Sequence, residues 1–242
     1  MKKLLAILLA LVMVLGMVAC TADNDEDDVR GEVSSNKDKD DKTDKTDDAD
    51  KNDADKGNAE KPSENEFDTG KLNANKYTNS FVGISCDLGS DWVFLTEAEI
   101  RQVNETTIGI LGDDYEEALK NANVFTDMMA THVNNRDTLN VTFEKLAGVN
   151  LALTEEQYAE LSTDSMKAAL ETAGMTNVVV TTGNASFAGA DHVYIAVSAQ
   201  YNGDAVYERV AVMKCQNYIV LITACTWQTD TCETILDMFK AI

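Results

Sequence analysis

The chain has 242 residues, of which 42 are acidic and 20 basic, so its formal net charge is −22 at pH 7. A protein this negative repels phosphate backbones, and we expect no nucleic acid among its partners. None of the five cysteines forms a Cys-x-x-Cys pair with another. Neither a redox motif of that kind nor a zinc ribbon is therefore predicted.

The first twenty residues combine a short basic start with an apolar run. Lys2 and Lys3 precede fifteen apolar residues, 4–18. That run suits a secretory signal better than a membrane-spanning helix, which needs about 20 apolar residues. It ends at Met17-Val18-Ala19-Cys20, which resembles the lipobox of bacterial lipoprotein signals, with Met17 in place of the more typical leucine.

The lipobox resemblance implies where the protein is located. Residues 1–19 would be the signal peptide, and cleavage before Cys20 would leave that cysteine carrying a diacylglyceryl group. Two acyl chains suffice for stable attachment, at about 0.8 kcal/mol per buried methylene. We therefore expect the mature chain, with 18 basic and 42 acidic residues, to be anchored at the outer face of the bacterial cytoplasmic membrane, exposed to the cell wall and extracellular space.

Residues 20–76, after the signal peptide, have the composition of a disordered acidic linker. Residues 21–76 hold nineteen acidic and ten basic residues, with few large apolar side chains, and such a segment cannot offset the entropy of ordering it. Asp23, Asp25 and Asp27 match the first ligands of a calcium loop. However, Asp28 replaces its glycine and Ser34 its final glutamate, so no metal site is predicted.

Residues 77–242 have the size of one domain, and two helix-start signals organise it. Thr96 with Glu99, and Thr154 with Gln157, each match a capping box. They predict helices over about 97–108 and 155–173. A short helix over 115–121 and a C-terminal helix from about residue 229 are also expected, the latter with an apolar stripe of Ile235, Leu236, Phe239 and Ile242.

The rest of the domain has the two-residue period of strands, joined by turn residues. The predicted strands are 80–88, 92–95, 124–133, 138–146, 177–187, 192–201, 205–213 and 218–227. The last is apolar on both faces, so we expect it at the centre of the sheet. The fold class is α+β, with an antiparallel sheet of about seven strands flanked by helices.

This order of elements resembles the PsbP-like fold, an α/β/α sandwich. The opening residues 77–85, YTNSFVGIS, followed by Gly89-Ser90-Asp91-Trp92, are similar to the start of bacterial lipoproteins of that group. Leu88 or Gly89 stands where those proteins carry proline. The resemblance covers about residues 77–242. It implies a non-enzymatic binding subunit, since members include an extrinsic photosystem protein and a nuclear protein that binds the Ran GTPase.

The two histidines do not form a catalytic motif. Asp191 and His192 are adjacent, so on a strand their side chains point to opposite faces. We interpret His192 and His132 as strand-end or turn residues. No metalloprotease, serine-hydrolase, Walker A or dinucleotide motif is present, and no catalytic residue, cofactor site or cofactor is predicted.

Two further groups have a structural and a functional interpretation. Asp113, Asp114, Glu116 and Glu117 suit a solvated helix start, or else a site for a cation or basic partner. Phe125, Met128 and Met129 suit the core, or else a binding groove.

The four cysteines beyond Cys20 leave the disulfide question open. Cys86, Cys215, Cys225 and Cys232 allow three pairings. An extracellular location permits a disulfide, but cysteine is also often buried as a free thiol.

Three functions remain for a membrane-anchored protein of this kind. The preferred one is a binding or adaptor module with an unknown protein or cell-envelope partner. The alternatives are a hydrolase of wall polymers with paired carboxylates, and a small solute-binding lipoprotein of a transporter.

Overall fold

The computed structural model describes residues 67–112 and 124–242. The described strands run in the order β1 Lys71–Asn73, β2 Lys76–Asn79, β3 Ile84–Asp87, β4 Trp92–Phe94, β5 Val124–His132, β6 Thr138–Lys145, β7 Thr176–Phe187, β8 Ala190–Tyr201, β9 Asp204–Cys215, β10 Tyr218–Trp227 and β11 Phe239–Ala241. The helices are α1 Glu97–Leu111, α2 Glu155–Thr172 and α3 Cys232–Leu236, and a 3₁₀ turn spans Gly148–Ala152.

Seven strands form a large antiparallel sheet in the order β4-β5-β6-β10-β9-β8-β7. Strands β7 to β10 form a meander of tight hairpins. Strand β10 lies between β6 and β9, and nine of its ten residues are buried. The predicted α+β class and the central place of this strand are therefore confirmed.

Helix α2 covers one face of this sheet. It packs on β7, β8 and β9 through side chains that include Tyr158, Met166 and Leu170, all fully buried. The Tyr158 hydroxyl donates a hydrogen bond of 2.6 Å to Glu144 on β6. Burial, with the nearby charge of Glu144, raises the pKa of this tyrosine, so the contact is a tyrosine–carboxylate hydrogen bond that anchors α2.

A second, four-stranded sheet covers the opposite face, in the order β1-β2-β3-β11. Together with α3 it encloses a second apolar cluster, which includes Phe81, Phe143, Ile222 and Phe239. The sequence analysis did not anticipate this small sheet.

Asp127 ties the two sheets together. A β-bulge between Thr126 and Met128 interrupts the pairing of β5 with β6. The Asp127 carboxylate accepts hydrogen bonds from the Gly70 N–H, the Tyr77 hydroxyl and the Asn79 amide, at 2.6–3.0 Å. Gly70 has no room for a side chain, because a Cβ there would lie 2.1 Å from the Tyr77 ring.

The N-terminal part of the domain differs from the prediction. Strand β1 and the start of β2 lie within residues 20–76, where composition predicts a linker. Phe67 also contacts four aromatic rings. The strand predicted over 80–88 begins only at Ile84, because Asn79 accepts a hydrogen bond from the Val82 N–H and starts a turn that closes at Gly83 (φ +81°).

The predicted C-terminal helix is wrong beyond Leu236. Ile235 and Leu236 are buried in α3, but Phe239 lies in β11, which pairs with β3. Ile242 is exposed. The chain leaves the helix because the edge of β3 offers hydrogen bonds to β11. The short helix predicted over 115–121 lies outside the described residues.

The cysteines of the described domain are free thiols. Cys225 lies in the cluster beneath α2, whereas Cys86 and Cys232 lie in the cluster beneath the small sheet. The large sheet therefore separates Cys225 from the other two. Burial raises the pKa of Cys86 and of Cys232 to about 12, so these thiols stay protonated and are poor nucleophiles at neutral pH.

Candidate ligand-binding groove

A shallow groove lies where β7, β8 and β9 meet α3, on the side of the large sheet that faces the small sheet. It is a surface depression that encloses only about 30 Å³. Its polar lining residues are Ser186, His192, Tyr194, Arg209, Glu233 and Asp237. The apolar side chains of Phe187, Ala211 and Leu236 complete it.

Arg209 on β9 is the central cation of the groove. Its Nη1 lies 2.7 Å from Glu233 Oε1, and its Nη2 lies 3.5 Å from Asp230 Oδ2. Its buried Nε has no hydrogen-bond partner. Only 16% of the arginine side chain is exposed, whereas the side chains of Asp230 and Glu233 are 42% and 70% exposed. The two carboxylates therefore form an outer rim around a largely buried guanidinium.

Tyr194 on β8 supports this guanidinium. The Arg209 Cζ lies 4.8 Å from the centre of the tyrosine ring, within the range of a cation–π interaction. Tyr194 is paired in register with Gly183 on β7. A Cβ at position 183 would lie 2.5 Å from the Tyr194 hydroxyl. Glycine at this position therefore allows the ring to lie across β7.

A second polar contact fixes His192 beside the groove. Its Nδ1 lies 3.1 Å from Glu155 Oε2 at the start of α2, and Glu155 Oε1 accepts a hydrogen bond of 2.7 Å from the Lys214 backbone N–H. The Lys214 ammonium donates to the carbonyl groups of Leu151 and Leu153. His192 therefore joins β8 to the start of α2, a structural role consistent with the sequence-based interpretation.

The charges of the groove favour a cationic ligand group. Arg209 is already paired with two carboxylates, so an incoming anion would have to displace Glu233. Asp237 is exposed and lies in the same lining. With Asp230 and Glu233 it gives three negative charges against two positive ones, those of Arg209 and of Lys240, whose ammonium donates a hydrogen bond of 2.7 Å to the Asp237 carbonyl oxygen. The groove can bind an ammonium or guanidinium group beside the Tyr194 ring.

A buried carboxyl group with a raised pKa, that of Glu208, lies on the face of the large sheet opposite the groove. Glu208 precedes Arg209 on β9, so the two side chains point to opposite faces. Glu208 is buried, and neither of its carboxyl oxygens has a hydrogen-bond partner. Burial raises its pKa to about 8. It cannot act on a ligand in the groove.

The residues singled out from the sequence are not brought together here. Cys20 and the 113–117 acidic cluster lie outside the described residues. Met128 and Met129 are buried in the core, which confirms that interpretation over a binding groove, while Phe125 is half-buried and stacks on Phe143. His132 is the last residue of β5, and its Nδ1 accepts a hydrogen bond from the Asn134 N–H.

Sequence reasoning missed Tyr194, Arg209, Glu233 and Asp237. Two signals pointed toward this region. Gly183 interrupts a predicted strand, which often marks a close approach of neighbouring groups. Arg209 is one of only eight basic residues within 77–242. The grouping itself depends on strand register and on the position of α3, neither of which follows from the sequence pattern.

Comparison with known proteins gives little further information. No protein-family model matches the chain, and no curated protein matches it significantly. A solved structure with some similarity is that of LpqN, described as involved in cell envelope biogenesis of Mycobacterium tuberculosis. It shares 13% identity with a TM-score of 0.40, over 65% of this chain and 82% of LpqN. A likeness at this level supports no functional inference, and the PsbP-like resemblance stays a prediction.

Across residues 67–112 and 124–242, each helix is too short or too polar to span a bilayer.

Proposed function

We propose that this protein is a lipoprotein of the bacterial cell surface whose folded domain is a non-enzymatic binding or adaptor module. A diacylglyceryl group on Cys20 would hold it at the outer face of the cytoplasmic membrane. The observation that carries this proposal is the lipobox-like Met17-Val18-Ala19-Cys20 directly after a fifteen-residue apolar run. The acidic composition of the segment that follows suits a spacer between membrane and domain.

Labelling in intact cells tests the anchor. Cells producing the full-length chain are fed an alkyne fatty acid, and the purified protein is examined for label. We expect label on the wild type and none on Cys20→Ser. The matched control is Cys215→Ser, which removes a half-buried thiol of the domain and should keep the label. Label that persists on Cys20→Ser, or a mature N-terminus other than Cys20, would contradict the proposal.

The groove supports the binding role because its charged side chains are accessible to a ligand from solvent. A photo-crosslinking amino acid in place of Thr234, which is exposed on α3 next to the groove residue Glu233, should capture a specific envelope component in intact cells. The same group at Glu171, exposed on α2, is the control and should not capture that component. Equal capture from both positions would argue against recognition through the groove.

The second candidate function is hydrolysis of cell-wall polymers, because Glu233 and Asp237 place two carboxylates in one groove. Glycoside hydrolysis needs such a pair. Release of reducing ends from purified cell walls by the wild type, and its loss in both Glu233→Gln and Asp237→Asn, would favour this candidate over the binding module. No release is expected if the protein only binds.

A further inference from the structure

The outer edge of β7 is a long, unpaired strand edge. Strand β7 is the last strand of the large sheet and pairs only with β8 within the described part of the chain. It has 12 residues, whereas the other edge strands of the two described sheets, β1, β4 and β11, have three residues each. Short edges are a common protection against unwanted pairing, and β7 lacks it.

Two other common protections, charged side chains and proline, are absent from β7. Edge strands are usually protected by charged side chains, proline or a bulge. β7 contains no charged residue and no proline, in a chain of which 26% is charged. Its one irregularity lies between Thr176 and Val179. The remaining nine residues, Val179–Phe187, pair regularly with β8 and extend over about 30 Å.

The side chains along this edge leave room for another strand. Thr181, Thr182, Asn184 and Ser186 are exposed and small. Added strands bind through main-chain hydrogen bonds, while pockets for alternate side chains provide specificity. Both features are needed for selective recognition of an extended peptide.

The groove supplies such a pocket beside this edge. Ala185, Ser186 and Phe187 belong to β7 and also line the groove. On an added strand, alternate side chains would point toward the face that carries the groove. There they would meet the Tyr194 ring and the carboxylates of Glu233 and Asp237.

We propose that β7 accepts an extended segment of a partner polypeptide as an eighth strand of the large sheet, with basic side chains of that segment lying over the groove. This inference rests on the proposed binding role of the domain and defines the partner's chemistry. A second copy of this chain is a poor occupant, because each copy carries a net charge of −15 over residues 77–242 and like charges repel.

The test uses the mature chain, residues 20–242, with Cys20→Ser to leave out the lipid. The probe is a capped peptide of about ten residues that alternates threonine and lysine, which places every lysine on one face of a strand. We expect saturable binding by calorimetry. Amide hydrogen exchange should slow at alternate residues within Val179–Phe187, those whose N–H groups point away from β8.

Two N-methylated peptides separate strand addition from simple charge attraction. One is methylated at every threonine and the other at every lysine, so the methyl groups of each peptide lie along one edge. One of them should bind about tenfold more weakly or not at all, and the other within about threefold of the parent. Equal affinities for the two peptides would overturn the proposal.

Side-chain specificity has its own control. A peptide that alternates threonine and glutamate should bind at least about tenfold more weakly than the peptide that alternates threonine and lysine. The double variant Glu233→Gln, Asp237→Asn should weaken the lysine peptide and leave a threonine–serine peptide unchanged. Binding without slower exchange in β7 would overturn the proposal, as would a dimer of the free protein with β7 already protected.

Failure here can be distinguished from failure of the proposed function. Peptide binding is measured without the lipid, so loss of the anchor in cells would leave this result intact. Conversely, a labelled Cys20 together with absent peptide binding would keep the surface location and refute only the recognition by β7.

Discussion

Glu208 is a buried carboxyl group whose two oxygens have no hydrogen-bond partner. Its neighbours across the sheet are Val197 and Cys225. Burial raises its pKa from the ordinary value of 4.5 to about 8, so the group is largely protonated in the folded protein at neutral pH. In the unfolded chain it ionises near its ordinary pKa, and that ionisation favours unfolding.

This linkage predicts a pH-dependent stability that Glu208→Gln removes. The contribution of Glu208 is fully present below about pH 4.5 and is lost as the pH rises through about 8, at about 1.4 kcal/mol per pH unit between those values. Urea unfolding of both proteins at a series of pH values measures it. We expect similar free energies of unfolding near pH 4.5, and a more stable glutamine variant at pH 8.

Glu160→Gln is the control for that experiment, because it removes an exposed carboxylate of α2. Its stability should follow that of the wild type over the whole pH range. If Glu208→Gln did the same, the folded-state pKa of Glu208 would have to be near its ordinary value.

The Asp127 carboxylate, unlike that of Glu208, accepts hydrogen bonds from three groups, the Gly70 N–H, the Tyr77 hydroxyl and the Asn79 amide. Removal of Asp127 leaves the Tyr77 hydroxyl and the Asn79 amide, both fully buried, without their acceptor. Asp127→Ala should therefore lower the free energy of unfolding by about 3 kcal/mol in urea titrations, and Tyr77→Phe alone by about 1 kcal/mol.

The double variant shows whether the hydroxyl and the carboxylate act as a pair. In the Asp127→Ala background, Tyr77→Phe should cost nothing, because it removes a hydroxyl that is already unsatisfied. Asp68→Ala is the control, since its contact with Lys71 is exposed at 3.6 Å and worth less than about 1 kcal/mol. Additive losses from Asp127→Ala and Tyr77→Phe would show that the two groups are independent.

At the scale of elements, the two capped helices differ in what they bury. Both capping boxes predicted from the sequence are formed. However, α2 buries six residues, while Thr107 is the one buried residue of α1. The same local signal thus starts one helix that belongs to the core and another that is held mainly by its own hydrogen bonds.

We therefore expect matched cap substitutions to have different effects. Thr154→Ala should lower the global free energy of unfolding by about 1 kcal/mol, because unfolding of α2 exposes the core. Thr96→Ala removes the same kind of cap from α1, and should speed amide exchange in that helix without moving the urea midpoint. Equal losses of global stability would show that α1 unfolds only together with the sheet.

The same contrast explains which elements the sequence could predict. Capping residues and alternating polarity are local signals, so α1, α2 and the strands of the large sheet were found close to their observed bounds. Strand β11 forms because its backbone meets β3, about 150 residues earlier. β1 has three exposed residues and no periodic pattern. Neither short strand carries a local signal of its own.

The groove was beyond sequence reasoning for a related reason. Tyr194, Arg209 and Glu233 come from β8, β9 and α3, and each could equally be a solvated surface residue. The register of β8 with β9, and the short length of α3 before β11, bring them together. The two-residue period of the hydrophobic pattern determines which side chains of a strand face the core. It does not determine which residues of the sheet α3 packs against.

At the scale of the whole molecule, charge determines how a basic partner approaches. Residues 77–242 carry eight basic and 23 acidic residues. Fields of this size act beyond direct contacts at low ionic strength, and they raise association rates more than they slow dissociation. Salt shortens their range from about 10 Å at 0.1 M to about 3 Å at 1 M.

The lysine–threonine peptide should therefore bind at least about tenfold more weakly in about 0.5 M NaCl than in about 0.05 M, chiefly through slower association. Stopped-flow fluorescence with a labelled peptide measures both rates. The pair Glu160→Gln, Glu171→Gln should lower the association rate only, because α2 lies on the face of the large sheet opposite the groove. The groove pair Glu233→Gln, Asp237→Asn should also speed dissociation, since it removes contacts made in the complex. If both pairs changed the two rates equally, the attraction would come from the overall charge, and the groove would confer no preference for basic side chains.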